Sequence, residues 1–391
     1  MLALLLTAAA LAQTFIVDAA EPVSLRVAGT WTRALHTDDG WKLAFGTADT
    51  FWLSDLEQAT ADDPTSWVLT GDRTDLQDRS GTKDHAISRC PDGTWLHVAS
   101  ANVTEPNDSA YAWRHAADFS LLASVTLEEG ATERMHNDMV IFCSRLGTGA
   151  VFPASGLGGG IGNTVFPLDD DLSIGGLFSI DELPRAEGGA ILTDATEDLR
   201  YQTGGDQLGQ GLVVRTYDAD WTSLSLTELD LIEPPLRAFW PQRLMQLGDY
   251  FLLAFVARDD SAGNGDLGNI YVAVLDRDWT MLERTKVTSE ADNAGISMRP
   301  WMERHGRQLL VSFDAETQHT IAELTIDPAA FGLSEDDLYA DTAWTPDDND
   351  TASDDTITTT DDSGCGRRSR RGASFIGLGT LLLLGLGRRR R

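Results

Sequence analysis

Basic side chains are scarce in this sequence, with 30 Lys and Arg against 61 Asp and Glu in 391 residues, a formal charge of −31. Eight of the basic residues follow Cys365 and no acidic residue does, so residues 1–366 carry −39. Such a field opposes nucleic acid and anionic lipid, whose capture rests on Lys and Arg against phosphate. Cysteine is nearly missing as well. Cys90, Cys143 and Cys365 are the only three, and no Cys/His cluster has zinc spacing. The C-terminal apolar run 373–387 has fifteen residues, short of the about 20 that a permanent helical span needs. The Gly-rich segment 156–162 is not followed by Lys-Ser/Thr or a helical pattern, which excludes a phosphate cradle. The turns Asp169-Asp170-Asp171, Asp218-Ala219-Asp220 and Asp276-Arg277-Asp278 offer paired oxygen ligands. A calcium loop needs more donors and a later Glu, whereas Asp is an ordinary hairpin residue that bonds its own backbone. No cofactor and no metal is therefore expected.

The two ends read as export and anchoring signals. Residues 1–12 are apolar and close on Ala10-Leu11-Ala12, the small-x-small pattern of a signal peptide, so the mature chain is expected to begin at Gln13. Residues 342–364 are rich in Thr, Asp and Ser with almost no large apolar side chain; they cannot bury enough to order themselves and read as an extended acidic stalk. Cys365 lies between Gly364 and Gly366, followed by Arg367, Arg368, Arg370 and Arg371, the short apolar stretch, and Arg388 to Arg391. This order of Cys motif, short hydrophobic helix and Arg cluster resembles the MYXO-CTERM sorting tails of myxobacteria. The resemblance covers 365–391 and implies processing by a sorting protease near Cys365, with retention on the outer membrane at the cell surface. One Cys stands where many members have two, and additional arginines precede the helix.

Between the ends, residues 13–341 repeat. An Asp, an aromatic or Leu, and a hydroxyl residue recur as Asp118-Phe119-Ser120, Asp171-Leu172-Ser173, Asp220-Trp221-Thr222 and Asp278-Trp279-Thr280, spaced by 53, 49 and 58. An alternating apolar run lies on each side of every turn, which predicts a hairpin. A second hairpin precedes each, as in His85–Cys90, Pro91-Asp92-Gly93 and Thr94–Ala99. Second strands start near Trp41, Trp95, Ala150, Leu199, Tyr250 and Leu309. Four-stranded units at a period of about fifty predict an all-β fold, a six-bladed β-propeller with antiparallel blades; five or seven blades are the neighbouring counts. The last unit has three strands, and Pro22–Val27 is expected to supply its fourth, leaving no open edge.

First strands of a propeller line the channel, so candidate chemistry is sought there. They bring Trp31, Arg33, Asp84, His85, His136, Asn137, Asp138, Trp240, Gln242, Arg243, Arg299 and Trp301. Indoles stack on sugar ring faces and charged groups fork to hydroxyls or acidic substituents. The expected function is a carbohydrate or other small ligand bound in the funnel of a monomeric, surface-anchored propeller. A glycoside hydrolase or lyase using Asp84 and Asp138 as its carboxylate pair, tuned by His85 or His136, is the alternative. The set is similar, faintly, to propeller glycosidases of the arabinanase and sialidase kinds, although the arginine triad and the Ser-x-Asp-x-Gly-x-Thr-Trp box of sialidases are absent as such. A structural or adhesive protein-interaction module is the third reading. Loop 259–266 is long and polar enough to reach over the funnel. Cys90 and Cys143 align when the first strands are superposed, and an oxidising compartment favours a disulfide between them; two buried small hydrophobes are the rival.

Mass spectrometry of protein taken from its own cells should find a mature chain starting at Gln13 and lacking the residues beyond Cys365. An intact N- or C-terminus would remove the export or the anchoring expectation respectively.

Overall fold

The computed structural model describes residues 13–339 except 48–49, 80–81, 104–106, 132–138, 154–162, 181–188, 206–210, 260–266, 293 and 317. The expected signal peptide, stalk and sorting tail lie outside the described residues.

The chain forms a six-bladed β-propeller. Blades 1 to 5 are four-stranded antiparallel sheets whose strands follow one another in sequence. The first strands are Thr30–Thr37, Thr82–Arg89, Val140–Ser144, Ile191–Thr193, Leu236–Leu247 and Ser297–His305. Each contacts the first strands of the blades on either side, and the sixth returns to the first, so the ring is closed. Six apolar clusters fill the ring, one at each blade interface. At the interface of blades 5 and 6, for example, Leu252, Ala254 and Val256 meet Leu309, Val311 and Phe313, all at most 1% exposed. Strands buried on both faces explain why these runs are continuously apolar instead of alternating.

Closure uses the N-terminus, in two pieces instead of the one that was expected. Ile16–Ala19 pairs with Leu324 to Ile326, and Val23–Ala28 pairs with Gln318 to Ile321 of the same strand, Gln318–Ile326. Pro22 lacks the N–H that a continuous ladder would use, which accounts for the break between them. The first piece is pinned by blade 5, where the Glu283 carboxylate accepts from the N–H groups of Phe15 at 2.6 Å and Ile16 at 3.1 Å.

The recurring Asp-aromatic-hydroxyl turn has a physical basis. Phe119, Leu172, Trp221 and Trp279 all have φ of 64°, the left-handed position of a three-residue hairpin that ordinarily takes Gly. In blade 5 the carboxylate of Asp276 accepts from the N–H groups of Asp278 and Thr280 at 2.9 and 2.8 Å, fixing the turn. A bulky residue there costs about 1 kcal/mol or more, and burial of the ring offsets it. Trp279 stacks on Phe251 at 4.4 Å and meets Tyr201 of blade 4 edge-on at 5.0 Å. Trp221 likewise meets Phe142 of blade 3 at 5.1 Å. The turn residue is thus a staple onto the preceding blade.

Two further features tie blades together. Cys90 and Cys143 form a disulfide between blades 2 and 3, with Cα atoms 4.8 Å apart and 53 residues between them in sequence; a loop of that size contributes about 4 kcal/mol in the chain-entropy account. Inside blade 2, His85, His97 and His115 form a buried row. His85 Nδ1 lies 3.0 Å from His97 Nε2, and Phe51 stacks on His85 at 4.2 Å. Burial pushes His85 down to about 3, His97 well below its ordinary value and His115 to about 4.

An unfolded chain takes up protons on these imidazoles below about pH 6.5 whereas the folded one does not, so stability falls as pH falls through that value. The slope should reach about 4 kcal/mol per pH unit for three groups between about pH 4 and 6. Urea unfolding across this range checks it, and His97→Phe should flatten the slope by about a third. A slope unchanged by that substitution would place the acid sensitivity elsewhere.

Candidate functional site

The first strands of blades 1, 2, 5 and 6 carry the same irregularity. Trp31, Asp84, Trp240 and Arg299 have φ of 64°, 54°, 49° and 54°, and the pairing with the second strand shifts at each of them. These are β-bulges, which re-aim side chains and cluster at functional rims. A left-handed backbone at bulky residues is strain that the surrounding packing must hold. Beyond each bulge the next residue, Thr32, His85, Pro241 or Pro300, is buried.

Blades 5, 6 and 1 present one continuous wall. Arg299 lies over Trp240 at 5.2 Å and Trp31 at 4.4 Å, Arg33 over Trp31 at 5.5 Å and Trp301 at 4.9 Å, and Arg243 over Trp301 at 4.3 Å. Three indoles and three guanidinium groups therefore alternate, each cation facing a negative ring face. Across the channel, the described lining from blades 2, 3 and 4 at the level of Arg33, Arg243 and Trp301 is mostly apolar, with Ala86, Met139, Val140, Ile141, Ala190 and Ile191 beside Ser88. The waist between the two halves holds about 30 Å³. Beyond it, toward the far ends of the first strands, the channel opens into a cavity of about 810 Å³. All six blades line this cavity, with Phe331 to Leu333 and Asp337 to Tyr339 of the C-terminal segment.

Asp314, fully buried in the second strand of blade 6, organises the wall. Its carboxylate accepts from the N–H groups of Trp31 at 2.9 Å and Thr32 at 3.2 Å and from the Thr32 hydroxyl at 2.6 Å, and it pairs with Arg299 at 3.5 Å. Burial alone would raise this carboxyl, but His319, Arg299 and Thr32 outweigh it and hold it below its ordinary value. Glu303 faces the lower cavity and pairs with Arg243 at 3.4 Å. Burial raises its carboxyl against the pull of Arg243. Trp301 lines both the waist and the cavity, while its indole N–H is buried and has no hydrogen-bond partner among the described residues.

Of the residues singled out from sequence, Trp31, Arg33, Trp240, Arg243, Arg299 and Trp301 come together in the wall. Asp84 lies at the blade 2 bulge, 8% exposed, and accepts from the Ser100 hydroxyl at 3.2 Å. His85 does not face the channel, contrary to expectation. The bulge at Asp84 turns it into the interface of blades 1 and 2, against Phe51 and His97. His136, Asn137, Asp138, the side chain of Gln242 and most of loop 259–266 lie outside the described residues. Asp314 and Glu303 were missed; Asp314 directly follows the largely apolar run Leu309 to Phe313, within a strand that is otherwise largely buried, and that placement is the signal that would have found it.

No family model matches the chain, and no curated protein is similar to it. Among solved structures it is similar to a protein of unknown function from Dyadobacter fermentans, 14% identical with a TM-score of 0.57, with 79% of this chain and 99% of that one covered. It is also similar to a subtype N10 neuraminidase-like protein of A/little yellow-shouldered bat/Guatemala, 8% identical, TM-score 0.44, with 79% and 99% covered. A GH43_1 enzyme from Xanthomonas citri is 14% identical, TM-score 0.41, with 64% and 88% covered. The first likeness shows the fold alone, and the two weaker superpositions carry no argument.

Replacing Asp314 with Ala leaves Arg299 and three donors unpaired, and should cost about 3–5 kcal/mol with an unchanged denaturant slope. Equilibrium unfolding checks this; a loss below about 1 kcal/mol would show that the carboxylate does not hold the wall.

Proposed function

We propose that the protein is a surface-anchored propeller that binds a carbohydrate in its central channel. The observation that carries this reading is the wall of alternating indoles and guanidinium groups on blades 5, 6 and 1, opposite a mostly apolar lining from blades 2, 3 and 4. Trp240, half-buried and faced by a single guanidinium group, offers an apolar ring to a sugar, which has one apolar face and a rim of hydroxyls. Rigid rings and strained bulges held by Asp314 make the wall preorganised, so little ordering entropy opposes binding. The acidic stalk 342–364 would lift the propeller from the membrane and the tail beyond Cys365 would retain it, the role the MYXO-CTERM resemblance implies.

Binding of fragment 13–341 to a glycan array, followed by titration of the glycan retained, tests the reading. Trp240→Ala should weaken binding by about tenfold or more, the loss of roughly 1.5 kcal/mol of stacking. No retained glycan, or an unchanged affinity in the variant, would overturn it. Release of reducing sugar from the bound glycan would shift the assignment to a hydrolase using Asp84 and Asp138.

A further inference from the structure

The charges of the wall carry a statement about the kind of sugar, one that rests on the carbohydrate reading above. Three guanidinium groups in a channel look, at first sight, like a site for an acidic substituent. Their partners say otherwise. Arg299 faces the fully buried Asp314 carboxylate at 3.5 Å. Arg243 pairs with Glu303 at 3.4 Å and donates from Nε to the Met302 carbonyl at 3.2 Å. Arg33, 3% exposed, donates to the carbonyls of Thr32 and Arg299 and has its faces against Trp31 and Trp301. Each cation is thus committed within the protein.

An incoming carboxylate would have to share Arg299 with Asp314 or Arg243 with Glu303. Asp314 is held below its ordinary value and stays ionised, so the newcomer would meet a fixed like charge in a poorly solvated place, which disfavours it. The exterior acts in the same sense, because the chain up to residue 366 carries −39 and repels polyanions before they reach the mouth. Cation–indole stacking needs no free charge, and it leaves the ring edges for hydroxyls.

We infer that the channel is specific for neutral saccharides and excludes uronate-bearing or otherwise acidic ones. Glu303 and Asp314 act as built-in counter-ions to Arg243 and Arg299, and Arg33 is held by two carbonyls and two indole faces. Arginine here serves to hold indoles in place, and it is not the recognition group for an anion.

The test uses the full chain and matched probes that share a backbone, xylan against glucuronoxylan oligosaccharides and galactan against polygalacturonate oligosaccharides. The neutral member should bind about tenfold or more tightly than its acidic counterpart, and its affinity should change less than about twofold between low and high salt. Glu303→Gln, which leaves Arg243 without its counter-ion at constant shape, should improve the acidic probe by about tenfold. Tighter binding of the acidic probes, a steep loss with salt, or no gain in Glu303→Gln would overturn the inference while the carbohydrate reading stands. Failure of every probe to bind would overturn both.

Discussion

The wall and the ring depend on one buried carboxylate at the closing seam. Asp314 belongs to blade 6, yet three of its four short contacts go to Trp31 and Thr32 of blade 1. A closed propeller has no free edge, but its first and last blades are joined by no covalent link at the centre. Here the seam is fastened at two radii. The N-terminal pieces zip to the strand Gln318–Ile326 near the rim, and Asp314 grips the bulge of blade 1 near the axis. Burying a carboxylate is tolerable only because it is filled with donors and faced by Arg299. The same bonds hold Trp31 in a left-handed conformation that a free strand would leave.

Around the rest of the ring the work is divided among side chains that reach one blade back. The turn aromatics at φ of 64° wedge between neighbours, and the Cys90–Cys143 bond joins blades 2 and 3. The blade 2 histidines fill an interface rich in aromatic rings, with His85 beneath the bulge and Phe51 of blade 1 against it. Such a row packs well while neutral and poorly once charged, so the ring's acid sensitivity is a local property of one interface.

Much of this was legible because propeller sequences repeat and repeats align. The period of about fifty, the paired hairpin signals and the three-stranded last unit led to the blade count and to closure by the N-terminus. The six wall residues were legible because each belongs to a first strand. What alternation alone could not foresee is the bulge. A shift of one residue at Asp84 sends His85 to the interface, and nothing in Lys83-Asp84-His85 announces a positive φ at a residue that is not Gly. The break at Pro22 and the extra pairing of Ile16–Ala19 were likewise hidden, because edge pairing depends on where the chain ends meet. Glu303 escaped notice for another reason. Its raised carboxyl comes from burial that outweighs the pull of Arg243, and that burial is a property of the assembled channel and not of its own neighbourhood in sequence.

The position of the wall has a thermodynamic consequence. Trp240 belongs to blade 5, Arg299 and Trp301 to blade 6, and Trp31 and Arg33 to blade 1, so a ligand lying on the wall touches both sides of the closing seam. Opening that seam would separate Trp31 from Arg299 and from Asp314 at once, and with them the surface the ligand needs. A ligand bound as proposed would therefore be linked to ring closure, each favouring the other by the same free energy. Blades 2 and 3 are joined by continuous chain and by a disulfide and require no such help. The wall lies beside the closing seam, and the Asp314 carboxylate that pairs with Arg299 inside blade 6 also accepts from Trp31 and Thr32 of blade 1, so the group that balances one cation of the wall is the one that holds the seam shut.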